Sequence, residues 1–327
     1  MTARVSGQAG PVPVRRLATI IESYGQELVV LSVILLLFLV VGLVNPRFLS
    51  DTNLTSIFAG NAYVAVAAIG MSLVIISGHI DVSVGSLIGV LATISGTLAV
   101  NGYPFIVAWL APLAIGMAIN ALVGVLVAYL RIPSIVTTLG MLSMLKGGLI
   151  SVTSGTWISN LPRDYLIAQF RLLGIPSPIY VMVALTLLAA LWVRHSRFGR
   201  TIYAIGGNPE AARVTGIRIE PSVVVVFAIH GLFAGIAALL FATQLQVIQS
   251  TVPPNLELTV ITASVVGGVS ILGGTGTVIG STLAAILFAT IGSSLIFLNV
   301  SAYWLRAVQG LLILATVLAD MARRRRI

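Results

Sequence analysis

Few residues of this 327-residue chain can do chemistry, and most of those sit inside long apolar runs. Asp81 lies in Gly78-His79-Ile80-Asp81-Val82-Ser83-Val84-Gly85, a glycine-flanked break between two such runs. A carboxylate beside the Ser83 hydroxyl can accept backbone N–H bonds at the start of the next helix. It can also meet a polar solute inside a membrane, where an ionisable group costs about 2.5–3.5 kcal/mol to insert and needs a reason to be there. Asn255 and Glu257 stand at the edge of another apolar run, facing either a pore mouth or the interface. Asn61, Thr137, Thr138 and Thr262 are amides and hydroxyls that suit a solute path or plain helix–helix contact. His79, His195 and His230 have no zinc-site spacing and read as isolated polar residues. With no cysteine, thiolate metal sites, Fe–S clusters and cysteine nucleophiles are excluded. The only lysine, Lys146, is followed by Gly147, so the chain lacks the Gly-x-x-x-x-Gly-Lys-Ser/Thr loop that cradles ATP phosphates.

The elements that position these residues must be membrane helices. Of the residues, 58% are apolar and 8% charged, against roughly 25% charged in a soluble domain. Ten runs approach the roughly 20 residues a span needs: 28–44, 54–78, 86–101, 105–130, 135–152, 178–193, 222–249, 258–273, 280–298 and 303–320. They are continuous rather than alternating, which excludes the short strands of a β-barrel. The fold expected is an all-α polytopic membrane protein of about ten transmembrane helices, with some broken or re-entrant at Gly78, Pro133, Gly273 and Gly274.

Net charge is +9, but the basic residues fall between apolar runs, so they report orientation in a lipid bilayer and not nucleic-acid binding. With both termini cytoplasmic, thirteen arginines lie inside and three, Arg47, Arg163 and Arg171, outside, while Lys146 and Arg306 fall within spans. The expected division is a cytoplasmic segment 1–27, a transmembrane domain 28–320 and a basic tail 321–327. Within the domain, 153–177 forms an outside loop and 194–221 a cytoplasmic one. The first run lacks a small-x-small cleavage site and is expected to remain as a span.

The cytoplasmic loop carries the clearest local grammar. Asn208 can cap a helix, Pro209 fits its first turn, Glu210 complements its dipole, and Gly216 stops it after Ala211, Ala212 and Arg213. The expectation is a helix of about two turns, preceded by a flexible Gly206-Gly207 pair and suited to docking on another subunit.

FGRTIYAIGGNPEAARVTGI (198–217) resembles the cytoplasmic loop of the ribose-type sugar permeases, membrane subunits of bacterial ABC importers in the superfamily that includes branched-chain amino acid permeases. SGHIDVSVGS (77–86), RIPSIVTTLGMLSMLKG (131–147) and NLELTVITASVVGGVSILGGTGTVIGS (255–281) resemble further segments of that family, in the expected order. His79, Thr259, Ser264 and Arg306 depart from its usual residues. The resemblance implies an ATPase subunit docking on residues 200–216, Arg200 included, with ATP and Mg bound by that partner and no cofactor in this chain. It also implies an extracytoplasmic sugar-binding protein, a second permease copy or related permease, and the bacterial cytoplasmic (inner) membrane. The alternative is an ion-coupled secondary transporter of a small polar solute, which broken helices also suit; an intramembrane enzyme has no visible constellation to support it.

Overall fold

A computed structural model of the chain describes residues 12–245, 247–249 and 254–324. Its helices are α1 (Val12–Val44), α2 (Asp51–Phe58), α3 (Ala62–Ile76), α4 (Val84–Val100), α5 (Phe105–Ala128), α6 (Ser134–Thr153) and α7 (Ser177–His195). There follow α8 (Arg197–Gly207), α9 (Pro209–Val214), α10 (Ile219–Gln244), α11 (Leu256–Val266), α12 (Val278–Phe297) and α13 (Trp304–Arg324). Eight helical segments among the described residues are long and apolar enough to cross a membrane, counting α2 and α3 as one; α4 and α11 are shorter apolar helices. The protein is an all-α polytopic membrane protein. Residues 1–11 of the N-terminal segment and 325–327 of the basic tail lie outside the described residues.

The breaks have local causes. α2 opens on Ser50, whose hydroxyl accepts from Asn53 N, and the helix interrupts at Ala59–Asn61, where Asn61 turns its amide back to the carbonyls of Ser56 and Ile57. The apolar run 258–273, expected as one span, is instead an eleven-residue helix followed by a loop. Gly267 lets the end of α11 pass against α12, since a Cβ there would lie 2.4 Å from the backbone of Gly280, and the chain leaves the helix as the Val269 N–H returns to Ser264 O at 3.1 Å. Gly268 then takes φ +102, which a residue with a side chain rarely adopts. The run 222–249 likewise yields a helix that ends at Gln244.

α3 lies at the centre, with every residue except Tyr63 buried, and packs against α10, α11 and α12. Its Ser72 hydroxyl donates to Ser281 of α12 at 2.6 Å, while Ser264 of α11 donates to the Ala68 carbonyl. α5 and α10 pass at backbone distance, since a Cβ on Gly231 would meet Gly116 O at 2.1 Å. Small residues at such crossings let membrane helices gain close van der Waals contact, which replaces the hydrophobic drive absent in lipid. α6 and α13 are exposed along most of their length, with Leu311, Leu314 and Leu318 facing out from α13.

The 153–177 loop has structure of its own. Arg171–Leu172 pairs with Ile175–Pro176 in a minimal antiparallel hairpin, and Ile158 bridges to Ile248. Tyr165 anchors it: fully buried, its hydroxyl donates to Ser95 at 2.8 Å, and Ser95 donates to Ala108 O at 2.6 Å.

Candidate functional site

The residues singled out from sequence fall into three places. The first is the 194–221 segment. Ser196 caps α8 by accepting from Gly199 N at 2.8 Å, and the apolar face Ile202 and Ile205 turns inward. Asn208 ends α8 and caps α9, its carbonyl oxygen accepting from Ala211 N at 3.0 Å. Pro209 occupies the first turn and Glu210 follows it. Gly216, at φ +85, closes the helix, with the Ile217 N–H returning to Ala212 O at 3.1 Å. Arg213 pairs with Glu220 at 3.0 Å, tying the end of α9 to the start of α10.

One expectation about this segment needs correction. Gly206-Gly207 is not a flexible hinge: the pair forms the last turn of α8, and a Cβ on Gly206 would lie 1.7 Å from the Ile76 carbonyl. Ala211 and Ala212 do not share a face. Ala211 is exposed with Pro209 and Glu210, whereas Ala212 is 4% exposed and packs into the protein. Arg200 lies at the mouth of a cavity of about 480 Å³, between α7, α8 and the start of α12, together with Arg194, Tyr203 and Thr277. The Tyr203 hydroxyl donates to Gly276 O at 2.7 Å, and burial first, with the nearby Glu27 carboxylate second, pushes its pKa up.

The second place is a buried polar cluster that only the fold assembles. Asp81 Oδ1 accepts from Ser83 N at 2.8 Å and from the Ser83 hydroxyl at 2.6 Å. Its Oδ2 accepts from Asn120 Nδ2 of α5 at 3.1 Å and stands 3.4 Å from His230 Nε2 of α10. That last contact is within ion-pair range but too poorly aligned for a hydrogen bond, so both His230 nitrogens lack a hydrogen-bond partner, as do Asn120 Oδ1 and Ser86 Oγ. Thr138 continues the network, accepting from Val82 N at 3.1 Å and donating to Ser134 O at 2.8 Å. Asp81, Ser83, Asn120, Thr138 and His230 are all buried. Here the chemistry is fixation: the loop between α3 and α4 is clamped to α5, α6 and α10. His230 is therefore not isolated, and neither it nor Asn120 announced a partner beyond being polar inside an apolar run.

The third place is a cavity of about 580 Å³ between α2–α3, α11, α12 and α13, within the range of small-molecule sites. Asn53, Asn61, Thr259 and Gln309 bring amides and hydroxyls to its wall, beside the aromatic faces of Tyr63 and Phe288. Of the path candidates only Asn61 reaches it. Asn255 is exposed at φ +58 just before α11; Glu257 is half-buried, its carboxylate against Gly85. Thr262 is buried and turned back to Leu258 O, and Thr137 is spent on Pro133 O. Among the described residues no three histidine, aspartate or glutamate side chains converge as for a metal.

A family model described as branched-chain amino acid transport system / permease component matches residues 53–317. Among curated proteins, the autoinducer 2 import system permease protein LsrC of Escherichia coli O157:H7 is 36% identical over 296 residues, 90% of this chain and 86% of that protein. Its counterpart in Yersinia pseudotuberculosis serotype O:3 (strain YPIII) is 37% identical over 291 residues, 89% of this chain and 83% of that one. The one in Photorhabdus luminescens is 36% identical over 296 residues, 90% and 89%. No solved structure matches.

Proposed function

Starting from the chain's membership of the branched-chain amino acid transport system / permease component family, we propose that it is the membrane subunit of a bacterial ABC importer for a sugar-like solute, working in the cytoplasmic membrane. The observation that carries this reading is α9. It is a capped rod of six residues whose Pro209, Glu210 and Ala211 are exposed, while Ala212 seats it on the membrane domain. A rigid helix held from behind and open in front suits a groove on a cytoplasmic ATPase. That ATPase binds ATP and Mg and supplies the energy, since this chain has no phosphate-binding loop.

An extracytoplasmic binding protein delivers solute to the face built from the 153–177 loop, and a second permease, identical or related, completes the pore. The cavity is lined by Asn53, Asn61, Thr259 and Gln309 beside Tyr63 and Phe288; the donors of the first three are bonded to backbone carbonyls, so they offer a solute their acceptor oxygens, weak contacts that hold a polyhydroxylated solute without trapping it. Autoinducer 2, the cargo in the names of the relatives, is the solute to test first.

Ala211→Trp tests the docking. It adds bulk on the exposed face only, and a clash at a packed contact costs about 1–3 kcal/mol, a loss of roughly 5- to 150-fold in affinity. The variant should insert normally and lose ATPase association; unchanged association removes α9 from the interface.

A further inference from the structure

Three separated segments meet at one point, backbone to backbone, directly behind the α8–α9 segment. The first is the end of α3 with the loop that leads to Asp81. The second is the last turn of α8. The third is the loop between α11 and α12. The Gly274 N–H donates to the Ile76 carbonyl at 2.8 Å, joining the first and third. Gly206 wedges between them: a Cβ on it would stand 1.7 Å from Ile76 O and 2.7 Å from Gly274 N. A Cβ on Gly273 would in turn meet Gly206 O at 2.9 Å and Gly78 Cα at 3.0 Å. Tyr203, one turn back on α8, pins the same loop by donating to Gly276 O at 2.7 Å. Gly78 and Gly273 take nearly the same left-handed φ, +87 and +81, and each begins the stretch that leads into the next apolar helix, α4 or α12.

We propose that Gly206 is a positioning residue for coupling: it locks α8 to both helix breaks at once, so that a displacement of α9 reaches the α3–α4 and α11–α12 loops together. This rests on the reading of α9 as the ATPase-docking helix and says how docking is felt in the membrane. The packing requires it. Close-packed interiors transmit strain instead of absorbing it, and backbone in van der Waals contact on three sides has no side-chain rotamer through which to yield. One loop carries Asp81, which is clamped to α5 and α10; the other precedes α12, which lines the cavity through Ala285, Phe288 and Ser293. Movement at Gly206 therefore arrives on both the scaffold and the path. Gly148 of α6 is a natural control, because a Cβ there would find no neighbour within 4 Å.

The experiment reconstitutes the chain with its ATPase and binding protein in proteoliposomes and measures ATPase association, ATP hydrolysis and solute uptake for Gly206→Ala, Gly148→Ala and Tyr203→Phe. For Gly206→Ala, association should stay within twofold of the parent while ATP hydrolysed per solute imported rises at least tenfold; Gly148→Ala should match the parent. Gly206→Ala with parental stoichiometry overturns the proposal. Should Gly206→Ala fail to assemble, Tyr203→Phe decides, since it removes one hydrogen bond without adding an atom. A rise of about threefold or more in ATP per solute supports the lock, and a parental ratio overturns it. Failure of the docking reading is seen separately, as normal ATPase association of Ala211→Trp.

Discussion

Asp81 and His230 offer the most quantitative test of how the membrane interior is held together. Asp81 Oδ2 and His230 Nε2 stand 3.4 Å apart, close enough for a polar interaction that a change at either residue removes. The site is fully buried, so removing one member leaves the other desolvated and uncompensated, which costs about 3–5 kcal/mol when the group left behind is a carboxylate. Asp81→Ala also strands the N–H and hydroxyl of Ser83 and the Asn120 amide. His230→Ala leaves the carboxylate without its imidazole neighbour and opens space against Gly70 and Phe233. In a double-mutant cycle the stranded groups and the void appear in both the single and the double variant and cancel, leaving the pair. Reversible unfolding in mixed micelles at neutral pH, followed by circular dichroism, should give about 3–5 kcal/mol for each single change and a double change smaller than their sum by at least about 1.5 kcal/mol, inside the range for contacting residues. Additivity within about 0.5 kcal/mol would refute the interaction.

Cysteines placed in this cysteine-free chain report its topology: position 210 should resist an impermeant thiol reagent in intact cells and position 164 should react, and the reverse pattern would invert the orientation drawn from the arginines. Tyr165 predicts an alkaline transition. Burial pushes its pKa up to about 12, against an opposing hydrogen bond to Ser95, and an unfolded tyrosine titrates near 10. The folded value is raised, so its contribution is complete below pH 10 and is lost as pH rises from 10 through about 12. Proteolysis of the 153–177 loop should increase across that window in the parent; Tyr165→Phe should lose about 1 kcal/mol at neutral pH and the tyrosine-dependent part of the transition.

The long helices were legible because lipid demands about 20 apolar residues in sequence, and α9 because Asn208, Pro209 and Gly216 are each a cap, a start or a stop. α8 was not legible. Gly206-Gly207 read as a flexible pair, yet the segment is helical because Ser196 caps it and its apolar face is buried, with Gly199 and Gly206 serving close approach. The early end of α11 was hidden because the apolar run continues to Gly273, and the stop rests on Gly268 taking a left-handed φ of +102 inside that run. The clamp on Asp81 needed topology, since Asn120 lies 39 positions away and His230 much farther, on helices whose neighbourhood no local pattern specifies.

The central claim is that solute crosses this chain only at the expense of ATP hydrolysed by a subunit docked on α9. Proteoliposomes containing the chain, its ATPase and its binding protein, loaded with MgATP on the ATPase side, test it by accumulation of labelled autoinducer 2 or a related sugar. Uptake should require ATP and stop with vanadate, and an imposed proton or sodium gradient should drive none. Accumulation under a gradient by the lone chain, without ATP, would contradict the account and establish a secondary transporter in its place.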